Sequence, residues 1–234
     1  MKTSLFLTTL FAVALIALSS FAQPPATSPA AAGSKVVNTG QVAVPAQPAT
    51  GQPSAADMEK MMQQMMELSK LNENHKLLAG LDGTWSYTVK MWMTPDPNAK
   101  PQESKGTAVR KSMMDGRFFV MDVSGKMQMP GADGKPKDME FKGMGIEGYD
   151  NVKKKFVGTW VDNMGTGIMM SEGTYDPATK TFIYTGEYEA IPGMKQKIRE
   201  VVKIADKDHM SFEWYENQGG QEKKTMEIAY TRKK

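Results

Sequence analysis

From Asp82 onward the chain breaks into ten short runs, and no long helical period interrupts them. The runs are Thr84–Met93, Ser104–Met114, Phe118–Met127, Met139–Glu147, Lys155–Asp162, Ile168–Tyr175, Thr181–Tyr188, Lys195–Ile204, Met210–Glu216 and Lys223–Arg232. Turn chemistry separates them, as at Asp115-Gly116, Tyr149-Asp150-Asn151, Asp176–Lys180 and Pro192-Gly193. Runs of this length bounded by Gly, Pro, Asn and Asp read as strands. Consecutive strands with short links predict an antiparallel meander, and a meander this long closes most readily into a barrel. The expected fold is therefore all-β: an up-and-down barrel of about ten strands.

Period-two alternation assigns the faces. Trp85, Tyr87, Val89 and Met91 share one face of the first strand, opposite Ser86, Thr88 and Lys90. Phe119, Met121 and Val123 share a face, as do Ile198, Val202 and Ile204, and Met226, Ile228 and Tyr230. One apolar face per strand is what a single-layer barrel requires. Glu200 falls in the apolar phase of its strand, where a plain core avoids a carboxylate.

Before the strands the sequence has three parts. Met1–Ala22 has a positive start, an apolar run at Leu5–Leu18 and small residues around Ser20-Phe21-Ala22. That run is shorter than the ~20 residues a membrane span needs, so residues 1–22 are expected to be a cleaved signal peptide and the chain to be exported, periplasmic or secreted. Residues 23–56 are rich in Ala, Pro, Gln, Ser and Thr and read as a disordered linker. Residues 57–80 place Met58, Met61, Met62, Met65, Leu68 and Leu71 at spacings of three and four, an amphipathic helix with Asp57 as N-cap, which Asn72–Asn74 can divide. The Met stripe either packs as core or offers soft thioether ligands to Cu(I); helical spacing alone accounts for it. The barrel domain is residues 81–234.

Composition excludes several classes. The chain has no Cys, hence no disulfide and no thiolate metal site, and its net charge of +3 is too balanced for a polyanion partner, so no nucleic acid is expected. After signal cleavage no segment is apolar and long enough for an integral membrane helix. His75 and His209 are the two histidines, and neither has a second ligand at metal spacing; His75 is read as capping or packing at the helix end. Gly143-x-Gly145-x-x-Gly148 matches a dinucleotide pattern, but a strand rather than a helix follows, so no cofactor is assigned. Asp162 beside Gly165-Thr166-Gly167 reads as an Asx-type turn. No activated nucleophile or acid–base pair is visible, so catalysis ranks below binding and no catalytic residue is named.

Two resemblances bear on the fold. Gly83-Thr84-Trp85 opens the first strand just after a helix, and Arg232 closes the last strand. With a meander between them, this resembles the calycin superfamily of lipocalins and fatty-acid-binding proteins. That resemblance implies Trp85 packed under Arg232 as a structural signature. A more specific resemblance covers about Glu73 to Lys233. Its motifs are His75-Lys76-Leu77-Leu78, Gly83-Thr84-Trp85, Gly116-Arg117-Phe118, Gly148-Tyr149-Asp150-Asn151, Trp160-Val161-Asp162, Gly173-Thr174-Tyr175-Asp176, Arg199-Glu200-Val201 and Met226–Arg232. These resemble a bacterial family catalogued as domain of unknown function 1579. The chain departs from it at Asp115, where a second Gly is usual, and in lacking Pro-Gly-Pro before His75. The resemblance implies a calycin-like barrel and brings no activity.

By alternation Tyr87, Trp160, Tyr184, Trp214 and Glu200 face the interior and are the candidate ligand-binding residues. Aromatic walls with one charged group suit a small apolar or amphipathic ligand. The same side chains can instead fill the barrel, leaving a structural or interaction domain that acts through its Met-rich helix. If Glu200 is buried it needs a donor, for which Arg110 is the candidate, or a proton.

Overall fold

The computed structural model describes residues 54–94, 98–130, 135–218 and 220–234. The expected signal peptide, and the expected linker as far as residue 53, lie outside these residues. The described residues fall into two compact units, one carrying α1 as far as Glu67 and the other residues 68–234.

Helix α1 spans Ala55–Leu68. Its cap is Ser54 rather than Asp57. Asp57 N donates to Ser54 Oγ and Ser54 N donates back to Asp57 Oδ2, each at 3.2 Å, so Asp57 is the third helical residue of a capping box. The helix cap thus lies three residues earlier than the charge pattern suggests. None of its residues is buried, and Met58, Met61, Met62, Met65 and Met66 are each more than half exposed. The expected helix over 57–80 is in fact two. Asn72 ends the first segment by capping α2, Glu73–Ala79, with its side chain accepting from Asn74 N and His75 Nδ1 accepting from Asn72 N. Asn72 Nδ2 also donates to Asn151 Oδ1 at 2.7 Å, and Asn151 Nδ2 donates to the carbonyls of Leu68 and Lys70. Two asparagine side chains therefore hold the approach to α2 against a barrel turn.

Ten strands follow: β1 Gly83–Met91, β2 Gln102–Met113, β3 Phe118–Pro130, β4 Pro136–Asp150, β5 Lys155–Asp162, β6 Met169–Asp176, β7 Thr181–Ile191, β8 Met194–Ile204, β9 His209–Gln218 and β10 Gln221–Arg232. Each pairs antiparallel with its neighbour in sequence, and β1 pairs with β10 to close the barrel. All ten expected strands are present, with ends that differ by a few residues because hairpin pairing extends past the apolar pattern. The β2–β3 connection is a 3-10 turn at Met114–Gly116, in which Met114, Asp115 and Gly116 all have positive φ. Asp115, where the related family usually has Gly, thus occupies the left-handed region at φ 57°.

The barrel has two unlike ends. At the end where α2 enters β1, Leu78 and Leu81 join Phe119, Phe156, Phe182 and Tyr184 in a buried cluster. Ring contacts run through it from Tyr149 to Phe156 (4.9 Å) and from Phe156 to Phe182 (4.9 Å, edge-on). A second cluster joins Trp85, Tyr87, Ala108, Val123 and Met210. The Arg232 guanidinium lies 4.2 Å from the Trp85 ring centroid, and Trp85 Nε1 donates to Leu81 O at 3.1 Å. Arg232 also donates to the carbonyls of Gly80, Asp82 and Lys207. This is the Trp–Arg pairing that the resemblance implied. It ties the first strand, the last strand and the end of α2 at one point.

Candidate functional site

The five candidate side chains occupy inward positions, but they do not form one cluster. Tyr184, Glu200 and Trp214 lie side by side in register across β7, β8 and β9. Tyr87 and Trp160 belong to the second hydrophobic cluster.

Tyr87 is wall. It is buried, its hydroxyl donates to Ser124 O at 3.2 Å, and it occupies the space above Gly106 and Gly125. Burial raises its pKa, so it stays neutral. Trp160 lies against β4. A Cβ at Gly143 would collide with its Cζ2, which is why this strand carries glycine there. The ring stacks with Phe141 (6.5 Å, 17°), and its Nε1 donates to Asp162 Oδ2 at 2.8 Å. Asp162 Oδ1 accepts from Met164 N, so the Asx-turn reading of this carboxylate holds, with the added duty of fixing the indole. Trp214 Nε1 and the Tyr188 hydroxyl both donate to Glu216 Oε1, at 2.8 and 2.9 Å, with the two rings 6.2 Å apart.

The chemistry concentrates at Glu200. It is 9% exposed, and its Oε1 has no hydrogen-bond partner among the described residues. Burial lifts its pKa from 4.5 to about 7, the Ser171 hydroxyl working against the shift and the Glu147 charge adding to it. The expected donor, Arg110, is not its partner. Arg110 is 3% exposed and already committed: Nη1 donates to Leu78 O (2.6 Å) and Asp82 Oδ1 (3.0 Å), and Nη2 to Glu147 Oε2 (2.7 Å). Its guanidinium carbon sits 4.7 Å from the Phe119 ring centroid. Glu147 Oε1 accepts from the Tyr184 hydroxyl. Burial and the Glu147 charge push the Tyr184 pKa well up, so this phenol is a permanent donor. Arg110 meets Glu147 rather than Glu200 because β4 lies two strands from β2 around the barrel, whereas β8 lies four strands away.

Glu147 and Ser171 are the site residues that the sequence does not announce. On β4 the inward phase is Gly143, Gly145, Glu147, while apolar Met144 and Ile146 point outward. The signal available was the alternating glycines themselves, which mark a wall covered by a neighbour's ring.

Exposure grades along the interior. Towards α2 the inward side chains Trp85, Phe119, Phe182 and Tyr184 are buried. Towards the other end Val89, Phe141, Trp160, Tyr188, Trp214 and Met226 are only partly buried, with Ile198 and Met129 as buried exceptions. A depression of about 530 Å³ across β7–β10 is bordered by Glu187, Lys197, Arg199 and Glu222. Arg199 and Glu222 pair across it at 2.6 Å, a surface ion pair with modest energetic weight. It does not include Glu200. Among the described residues no group of three or more His, Cys, Asp or Glu is placed to hold a metal ion, and no helix is long and apolar enough to cross a membrane.

These features define a closed ten-stranded antiparallel β-barrel with a polar cluster set in an aromatic interior. A family model described as "Protein of unknown function (DUF1579)" matches residues 70–232, and the chain belongs to that family. No curated protein matches. Among solved structures, Rv2717c from M. tuberculosis is similar at 17% identity and a TM-score of 0.49, covering 70% of this chain and 100% of its own. A redesigned beta barrel, b11L5F_LGL, is similar at 16% identity and a TM-score of 0.30, covering 71% of this chain and 100% of its own.

Proposed function

We propose that the chain is exported and that its barrel takes up a small apolar or amphipathic molecule through the end remote from α2. The observation that carries this reading is the exposure of inward rings at that end, which stay partly open to solvent, while a buried carboxyl at Glu200 keeps one oxygen, Oε1, without a hydrogen-bond partner. Rings such as Trp160 and Trp214 supply burial for an apolar body, and a polar group fixes its orientation. Export rests on the Leu5–Leu18 run and the small residues at Ser20-Phe21-Ala22.

Titration with octanol tests the uptake. Tryptophan emission is expected to change saturably, and Trp160→Ala to weaken the effect roughly tenfold through lost ring contact. Emission indifferent to octanol, or binding that Trp160→Ala leaves intact, refutes the reading. For export, the protein recovered outside the cytoplasm is expected to begin near Gln23; an intact chain retained inside refutes that part.

A second reading draws on the five exposed Met side chains of α1. A flexible thioether face suits a partner's apolar surface, which would make the chain an interaction domain acting through its N-terminal helix. Replacing these methionines with Gln abolishes association under this reading and leaves octanol binding unchanged.

A further inference from the structure

Resting on the proposed uptake of an amphiphile, we infer that the interior selects a cationic head group, an ammonium seated against Glu200, and discriminates against carboxylates. The geometry argues this by elimination. Binding an anionic head in a barrel needs a cation with donors to spare. Among the described residues Arg110 is the one buried Arg or Lys, and both of its terminal nitrogens are engaged, by Leu78 O, Asp82 and Glu147. An incoming carboxylate would have to displace one of these partners and then sit beside Glu147 and Glu200, two acids on one interior. An ammonium meets the opposite situation. Glu200 Oε1 lacks a partner, and an N–H donor with positive charge satisfies the oxygen and offsets the burial of the carboxylate at once. The rings of Tyr184 and Trp214, flanking Glu200 in register, add aromatic faces that favour a cation over an anion.

The groups facing Glu200 are Tyr184 from β7, Ser171 from β6 and Glu147 from β4, with Arg110 of β2 beyond Glu147. On the β9 side Glu216 is already bonded to Trp214 and Tyr188. Tyr184 stays neutral across the working range, so Glu200 is the group whose ionisation changes near neutrality. An ammonium ligand prefers the ionised carboxylate. Its affinity therefore rises with pH as Glu200 loses its proton, by about tenfold between about pH 6 and about pH 8 for a group titrating near 7.

The test compares three ligands that share one alkyl chain, octylamine, octanol and octanoate, titrated into the full chain by calorimetry. Octylamine is expected to bind about tenfold or more tighter than octanol, with octanoate weakest, and only octylamine is expected to gain affinity with pH. Glu200→Gln is expected to remove the octylamine preference over octanol and its pH dependence. Octylamine and octanol binding alike and without pH dependence, or octanoate binding tightest, overturns the head-group inference and leaves the uptake reading intact. Failure of all three to bind overturns both.

Discussion

Glu200 makes a stability prediction that needs no ligand. Its carboxyl titrates near 4.5 when the chain is unfolded and near 7 when it is folded, because folding removes it from water. The folded state therefore holds the proton more tightly. Stability linked to this group is fully present below about pH 4.5 and is lost as pH rises through about 7. The gap between the two values corresponds to about 3 kcal/mol, a large share of the 5–15 kcal/mol by which a typical domain is stable. Glu200→Gln removes the titration and keeps the shape. Its uncharged amide leaves some constant offset, since a buried amide also wants partners, but that offset does not depend on pH. Urea denaturation of wild type and variant at about pH 4.5 and about pH 8 separates the two contributions. The variant's stability relative to wild type is expected to rise by about 2–3 kcal/mol between those conditions, or about 1–2 M in urea midpoint. Other titrating groups cancel in the comparison. Asp57, Asp176 and Asp206 have carboxyls held below their ordinary values by local hydrogen bonds, and burial lowers His75, but all are common to both proteins. A difference between variant and wild type that stays flat with pH refutes the claim that Glu200 is buried without a compensating cation.

Three further outcomes follow from the packing. Trp85→Ala is expected to cost about 3–5 kcal/mol by thermal or urea unfolding, and a double-mutant cycle with Arg232→Ala is expected to show coupling of about 1 kcal/mol, since the two side chains touch. Gly143→Ala is expected to displace the Trp160 ring, destabilising the domain by about 1–3 kcal/mol and shifting tryptophan emission; an unchanged spectrum and midpoint count against the ring lying on that glycine. Asn72→Ala is expected to cost about 1–2 kcal/mol, because it removes both the cap of α2 and the bond to Asn151, and Asn151→Ala in the same background is expected to add less than it does alone.

Much of the barrel was legible because strand periodicity is short and repeats ten times. Trp85, Tyr87, Ile198 and Val202 announce their face through one residue of alternation, and Glu200 stands out against it. Legibility stops where packing reverses the hydrophobic signal. On β4 the inward positions are Gly143, Gly145 and Glu147, and the outward ones are Met144 and Ile146. A reader who follows apolarity turns that strand inside out, because the apolar group that fills the inward space belongs to Trp160 of β5. On β2, Val109 is outward and Arg110 inward for a related reason: the cation's partners come from α2, the turn after it and β4, all distant in sequence. Local pattern identifies a charged residue in the apolar phase but not which partner it meets, since partner choice depends on register across strands that sequence spacing does not encode.

The same cross-strand arrangement bears on whether the interior is merely filled. Every buried polar group near α2 is resolved by a partner: Arg110 by Leu78, Asp82 and Glu147, Tyr184 by Glu147, and His75 by Asn72. Such networks stabilise a fold only when they are complete, and this one is complete except at Glu200. A side chain of similar size without charge would satisfy the packing at that position and spare the domain several kcal/mol near neutral pH. A barrel built for packing alone gains nothing from a carboxyl there. An open acceptor at the inner limit of a partly exposed aromatic interior does have a use when a donor arrives from outside. Under the proposed uptake, the stability forgone at Glu200 returns as binding energy for whatever supplies that donor.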